Sequence, residues 1–167
     1  MSESSAPGAG ALIPNPALKP LEFLVGEWLT AGIHPMVPGE SLNGRTSFAW
    51  HEGGAFLIMR SEVDHAQFPD GVAIIGSSDA GRFVMTYFDE RGVSRIYEVS
   101  VGDGTVSWLR EDPDFSQSAT ITADEGGARL AGKGRIKEGE DWSDDLSQVF
   151  TRVGAGDSSA PPTDPSA

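Results

Sequence analysis

Turn signals recur along most of this chain at short and regular intervals. From Trp28 onward they separate, every 8–12 residues, short runs rich in Val, Ile, Phe, Thr, Trp and Tyr. The intervening segments supply glycine or aspartate where a positive φ is needed, as in Glu52-Gly53-Gly54 and Gly102-Asp103-Gly104. This spacing is typical of an antiparallel sandwich or barrel.

The runs predict about ten strands joined almost entirely by hairpins. Such a meander leaves exposed edges unless it closes, and closure gives an interior wide enough for a ligand. We therefore predict an all-β fold, a closed up-and-down antiparallel β-barrel. The predicted strands are Trp28–His34, Arg45–His51, Ala55–Val63, Val72–Ser77, Arg82–Phe88, Ser94–Val101, Thr105–Glu111, Ser116–Thr122, Ala128–Lys137 and Leu146–Val153.

A short helix is predicted before the first strand, between Asn15 and Val25. Asn15 suits an N-cap and Pro16 suits the first helical position. Leu18, Leu21 and Leu24 then fall on one side, although Pro20 interrupts the pattern. We expect one or two helical turns that plug one end of the sheet.

The two ends of the chain differ in composition from its middle. Residues 1–14 are rich in Ser, Ala, Gly and Pro, and residues 154–167 contain no large apolar side chain. Neither end can bury enough surface to offset the entropy cost of ordering, about 1–2 kcal/mol per residue. We predict disordered tails at 1–14 and 154–167 around one barrel domain at 15–153.

Composition narrows the classes of function. Without cysteine there is no disulfide, thiolate nucleophile or thiolate metal site, which fits a cytoplasmic location. A net charge of −13 repels phosphate backbones and anionic lipid, so neither nucleic acid nor a membrane is an expected partner. No apolar run of about 18 residues is present. The three histidines lack metal-ligand spacing, and no metal site is predicted.

Two short motifs carry a family resemblance. Gly26-Glu27-Trp28 at the first strand and Arg152 on the last resemble the calycin signature of lipocalins and fatty-acid-binding proteins. In those families the tryptophan closes the bottom of the barrel and the arginine lies over its ring. The resemblance therefore implies structural roles for Trp28 and Arg152, joined by a cation–π contact worth about 0.5–2 kcal/mol.

Longer stretches narrow the resemblance. Residues 15–28, NPALKPLEFLVGEW, and the hairpin at 87–95, YFDERGVSR, resemble the nitrobindin-like and related uncharacterised bacterial lipocalin-like (DUF1579-type) family over residues 15–153. Nitrobindins hold ferric haem through a histidine late in the chain. This sequence has histidines only at 34, 51 and 65 and offers Asp144-Asp145-Leu146-Ser147-Gln148 instead. Haem is thus disfavoured, and no cofactor is predicted.

The candidate ligand-binding residues are those that strand alternation can direct into the barrel. His34 shares a strand face with Trp28 and would reach the opposite mouth, whereas His51 and His65 are expected at the surface. For two predicted strands either face could point inward. In Ala55–Val63 the inward residues are Leu57 with Met59 or Phe56 with Arg60, and in Ser94–Val101 they are Ile96 or Tyr97 with Val99. The predicted ligand-binding residues are His34, Phe48, Trp50, Met59, Arg60, Met85, Tyr87, Tyr97, Trp108 and Gln148.

Three functions follow from these patterns. The first is a barrel that binds a small, mostly apolar molecule in its interior, as a monomer or a homodimer. The second is an isomerase, cyclase or hydrolase in the same cavity, with Asp89, Tyr97 and Arg110 as the candidate catalytic residues. The third is a nitrobindin-like haem protein.

Overall fold

The computed structural model describes residues 13–51, 53–78 and 81–154. The predicted tails fall outside these ranges except for Ile13, Pro14 and Gly154, and the predicted turn residues Glu52, Asp79 and Ala80 also lie outside them. Within the described residues, none of the helical segments has the length and hydropathy needed to cross a bilayer.

Ten antiparallel strands form a closed barrel, which confirms the predicted fold class. Each strand pairs with its neighbours in sequence, and the last pairs with the first. The strands are β1 (Gly26–Ile33), β2 (Leu42–His51), β3 (Phe56–Val63), β4 (Gly71–Ser77), β5 (Phe83–Asp89), β6 (Ser94–Gly102), β7 (Thr105–Arg110), β8 (Ser116–Ala123), β9 (Arg129–Glu138) and β10 (Asp141–Arg152).

The N-terminal helix is a 3₁₀ helix, Pro16–Leu24. The Asn15 side chain accepts a hydrogen bond from the backbone N–H of Ala17, as the N-cap prediction requires, and its amide donates to Ser77 Oγ at 2.7 Å. Leu18, Leu21 and Leu24 are fully buried in the barrel core. The helix therefore plugs one end of the barrel.

Trp28 and Arg152 lie together at this plugged end. The Arg152 guanidinium carbon is 4.1 Å from the centroid of the indole, so the contact that the resemblance implies is present. Arg152 also donates to the carbonyls of Phe23, Val25 and Gly127. Trp28 is fully buried and donates through Nε1 to the Leu24 carbonyl at 2.8 Å.

Gly26 explains why the motif begins with glycine. Its φ is +139°, and a Cβ there would lie 2.5 Å from Arg152 Nη1. A side chain at this position would be strained and would displace the guanidinium from the indole.

The last strand is longer than predicted and contains an irregularity. β10 begins at Asp141 rather than Leu146, and its pairing with β9 shifts between Asp144 and Ser147. Three steps on β10 there oppose two on β9, which is a β-bulge. The bulge changes which side chains of β10 face the interior, and it brings Asp145 to the cavity.

Candidate functional site

A cavity of about 460 Å³ occupies the barrel at the end away from Trp28. The loops after β1, β3, β5 and β7 contribute residues to its rim, among them Phe68 and Phe115. Its walls are largely apolar and include Met59, Met85 and Trp108. The helix closes one end of the barrel, and the interior space lies at the other.

Most of the predicted ligand-binding residues border this cavity. Six of them lie on five strands, where side chains two apart share a face, and His34 directly follows β1. Those that border it are His34, Met59, Met85, Tyr87, Tyr97, Trp108 and Gln148.

Three other predicted residues do not border the cavity. Phe48 is 1% exposed and belongs to the core, and Trp50 packs against that core. Arg60 is exposed on the outside of the barrel because Leu57 and Met59 take the inward positions of β3. Of the two registers that alternation allows on β3, the structure has the one with Leu57 and Met59 inside.

Two of the three candidate catalytic residues also do not border the cavity. The Asp89 side chain is 0% exposed and accepts hydrogen bonds from Tyr87 and Arg91. Arg110 donates to the Phe115 carbonyl at 2.6 Å and pairs with Asp112 at 3.2 Å. Only Tyr97 borders the cavity, so the three do not converge on one space.

A chain of hydrogen bonds crosses one side of the mouth. Tyr97 donates its hydroxyl to Gln117 Oε1 at 2.6 Å, and Gln117 Nε2 donates to Asp145 Oδ2 at 2.9 Å. The other Asp145 oxygen lies 2.6 Å from His34 Nε2. Side chains from β6, β8 and β10 and from the end of β1 are thereby held in one polar wall.

The protonation state of this wall can be followed from its contacts. His34 Nδ1 accepts the Met36 backbone N–H at 3.0 Å, so Nε2 carries the proton and donates to Asp145. Burial raises the pKa of the Tyr97 hydroxyl, which therefore stays neutral.

A second polar group holds the hairpin between β5 and β6. The hydrogen bond from Arg91 lowers the pKa of Asp89 from 3.8 to about 2. Burial raises the pKa of Tyr87, and its hydrogen bond to Asp89 raises it further. Asp89 is thus an anion that fixes Tyr87 and Arg91 rather than a proton acceptor for a ligand.

The three histidines, all in described parts of the chain, are each engaged with neighbouring groups. Both ring nitrogens of His34 are hydrogen-bonded, although it borders the cavity. His65 bonds to Glu40 and to the Gln67 backbone, and His51 is exposed and stacks on Phe56. In the described ranges there is also no cluster of three His, Cys, Asp or Glu side chains that could hold a metal ion.

Sequence reasoning misses Arg95 and Asp145 as cavity residues. On β6, Tyr97 and Val99 are buried, which settles the open register and turns Arg95 inward as well. The alternation of side chains along β6 could therefore have identified Arg95 from the sequence. The sequence pattern gives no such indication for Asp145, because the inward position of Asp145 depends on the bulge.

Comparison with known proteins supports the assignment of the fold. No family model matches the chain, and no curated protein matches it. Among solved structures it is similar to Rv2717c from M. tuberculosis, with 18% identity over 83% of this chain and 98% of that one and a TM-score of 0.62. This similarity shows a shared barrel fold.

A weaker similarity is to a redesigned beta barrel, with 12% identity over 80% of this chain and 94% of that one. Its TM-score is 0.38, which adds nothing to the fold assignment.

Proposed function

We propose that this chain is a lipocalin-like barrel of the calycin type, related to the nitrobindin-like proteins, that binds one small and mostly apolar molecule in its interior. The observation that carries the proposal is the cavity of about 460 Å³ behind the mouth. Pockets for small molecules commonly have about 300–1,000 Å³ with apolar walls and a few placed polar groups. The stacked Trp28 and Arg152 support the calycin relation.

Small side chains at inward positions keep this space open. Ala119 on β8 and Gly132 and Gly134 on β9 border the cavity. A Cβ at Gly134 would lie 2.8 Å from the Leu146 carbonyl oxygen, so that glycine also permits the close approach of β10. Removal of apolar surface from water is favourable, so the largely apolar walls stabilise a bound apolar molecule of matching size.

The proposal is tested by filling the cavity. The neutral fluorescent probe N-phenyl-1-naphthylamine should bind the protein saturably, and Ala119→Phe should abolish that binding because the ring occupies the same space. Ala131→Phe is the matched control, since Ala131 is exposed on the outside of β9. Absence of saturable binding to the wild type, or binding that survives Ala119→Phe, would overturn the proposal.

The two other functions have less support. A haem protein needs an axial ligand, and both ring nitrogens of His34 are engaged. An acid–base enzyme built on Asp89, Tyr97 and Arg110 lacks a common space for those groups. Three expectations from the sequence remain predictions. They are a cytoplasmic location, independence from nucleic acid and membranes, and assembly as a homodimer. Native mass spectrometry of protein from its own host would detect a bound small molecule and a second copy.

A further inference from the structure

An arginine faces the interior of the barrel. Arg95 lies on β6 in phase with the buried residues Tyr97 and Val99, and it borders the cavity. An inward cation is costly unless a partner compensates for its lost hydration. Its partners therefore indicate what the cavity is built to hold.

The neighbours of Arg95 within the protein do not neutralise it. Nη1 donates to Gln117 Oε1 at 3.3 Å, and the guanidinium carbon lies 4.8 Å from the centroid of the Phe115 ring. Both partners are uncharged. Across the described residues, no carboxylate lies within ion-pair distance of Arg95.

The other two arginines around the mouth are paired. Arg91 lies 2.7 Å from Asp89, and Arg110 lies 3.2 Å from Asp112. Arg91 borders the cavity as Arg95 does, but of these three arginines in the described part of the chain only Arg95 has no carboxylate partner.

Asp145 is the acidic residue on the same wall, but its oxygens are engaged elsewhere. Oδ1 is held by His34 and Oδ2 by the Gln117 amide. Gln117 stands between the two charges, with its carbonyl toward Arg95 and its amide toward Asp145. Among the described residues, the guanidinium thus keeps donors that no acidic side chain has taken.

We infer that Arg95 binds the carboxylate of an amphipathic ligand whose apolar part fills the cavity, an inference that rests on the proposed function. A guanidinium presents parallel N–H donors that match the two oxygens of a carboxylate. The apolar part then lies against Met59, Met85 and Trp108. Since the protein carries a net charge of −13, most of its surface repels anions, and a dedicated cation is needed to admit one.

The test compares two competitors that differ only at the head group. Decanoate and 1-decanol are titrated at neutral pH against bound N-phenyl-1-naphthylamine, with displacement read as loss of probe fluorescence. Decanoate should displace the probe from the wild type at a concentration about ten-fold lower than decanol, as a charge-assisted contact requires. Arg95→Gln should remove this preference, so that decanoate and decanol displace the probe at concentrations within about two-fold of each other.

Two further variants make the result specific. Arg95→Lys should keep part of the preference because it keeps the charge. Arg135→Gln removes the same charge from an exposed position on the outside of β9 and should keep all of the preference.

The inference is overturned if the wild type binds the probe but does not distinguish decanoate from decanol, or if Arg95→Gln keeps the preference. It also fails if Arg135→Gln abolishes the preference equally, since net charge would then explain it. If the wild type does not bind the probe at all, the proposed function fails and this inference fails with it.

Discussion

Trp28 lies in the core at the plugged end of the barrel and does not border the cavity. Its ring is fully buried between Arg152 and the N-terminal helix, away from the cavity. Because the sequence motif already implies this contact, the role of the residue is predictable from sequence alone.

We expect Trp28→Ala to lower the free energy of unfolding by about 3–5 kcal/mol, the range for large core truncations. The substitution removes the packing of the indole, the cation–π interaction with Arg152 and the hydrogen bond to Leu24. Urea unfolding followed by circular dichroism measures the change. Trp142→Ala, at a half-buried position near the start of β10, is the control and should cost less. A loss below about 1 kcal/mol together with abolished binding of N-phenyl-1-naphthylamine would show that Trp28 serves the ligand instead.

The two tyrosines give a pH-dependent prediction. Burial raises the pKa of both Tyr87 and Tyr97 above the ordinary value of 10.0. The folded state thus favours the neutral phenol. The contribution of the two phenols to the free energy of unfolding is fully present below pH 10 and is lost as the pH rises through the folded-state pKa. In a near-ultraviolet absorbance titration, the folded protein should show less phenolate at pH 10 than the unfolded protein, and the remaining signal should appear together with loss of structure.

Unfolding in urea supplies the reference for that titration. Both side chains should then titrate near the ordinary value of about 10. A phenolate signal of one tyrosine at pH 10 in the folded protein would contradict the expected burial effect.

At the scale of elements, the barrel is predictable because each strand carries local signals. Glycine and aspartate at the turns and β-branched or aromatic residues between them give strand bounds close to those observed. Alternation alone fits two opposite registers in a strand that is apolar on both sides, which is why sequence reasoning places Arg60 inside and overlooks Arg95. The first part of β10 is rich in Ser and Asp, residues that disfavour strands, so neither its start at Asp141 nor its bulge can be foreseen.

The 3₁₀ helix is expected to contribute to stability mainly through one face. Leu21→Ala should lower the free energy of unfolding by about 2–5 kcal/mol, because the side chain is fully buried in the core at the plugged end. Glu22→Ala is the matched control, since Glu22 is exposed on the same helix. Chemical denaturation measures both. Equal effects of the two substitutions would mean that the helix does not plug the barrel.

At the scale of the whole molecule, the cavity has features that its sequence resemblance does not predict. Nitrobindins hold haem through a histidine late in the chain, and this sequence has no histidine after His65. The one described histidine that borders the cavity, His34, has Nε2 bonded to Asp145 and Nδ1 bonded to the Met36 backbone N–H. Titration of haemin into the protein should therefore give no Soret spectrum characteristic of an imidazole-ligated ferric haem. His34→Ala is the control variant and should give the same spectrum as the wild type. An imidazole-type spectrum that disappears in His34→Ala would restore the haem hypothesis.

The pairing of β1 with β10 has a consequence for how the chain is made. During synthesis β1 emerges first, and one of its edges has no native partner until β10 follows, because Trp28 pairs with Arg152 at the very end of the barrel. Arg152 also bonds to Val25, 127 positions earlier. A contact of such long range forms slowly, and an open strand edge invites pairing with other chains. The growing protein is therefore most vulnerable to aggregation just before its last strand leaves the ribosome.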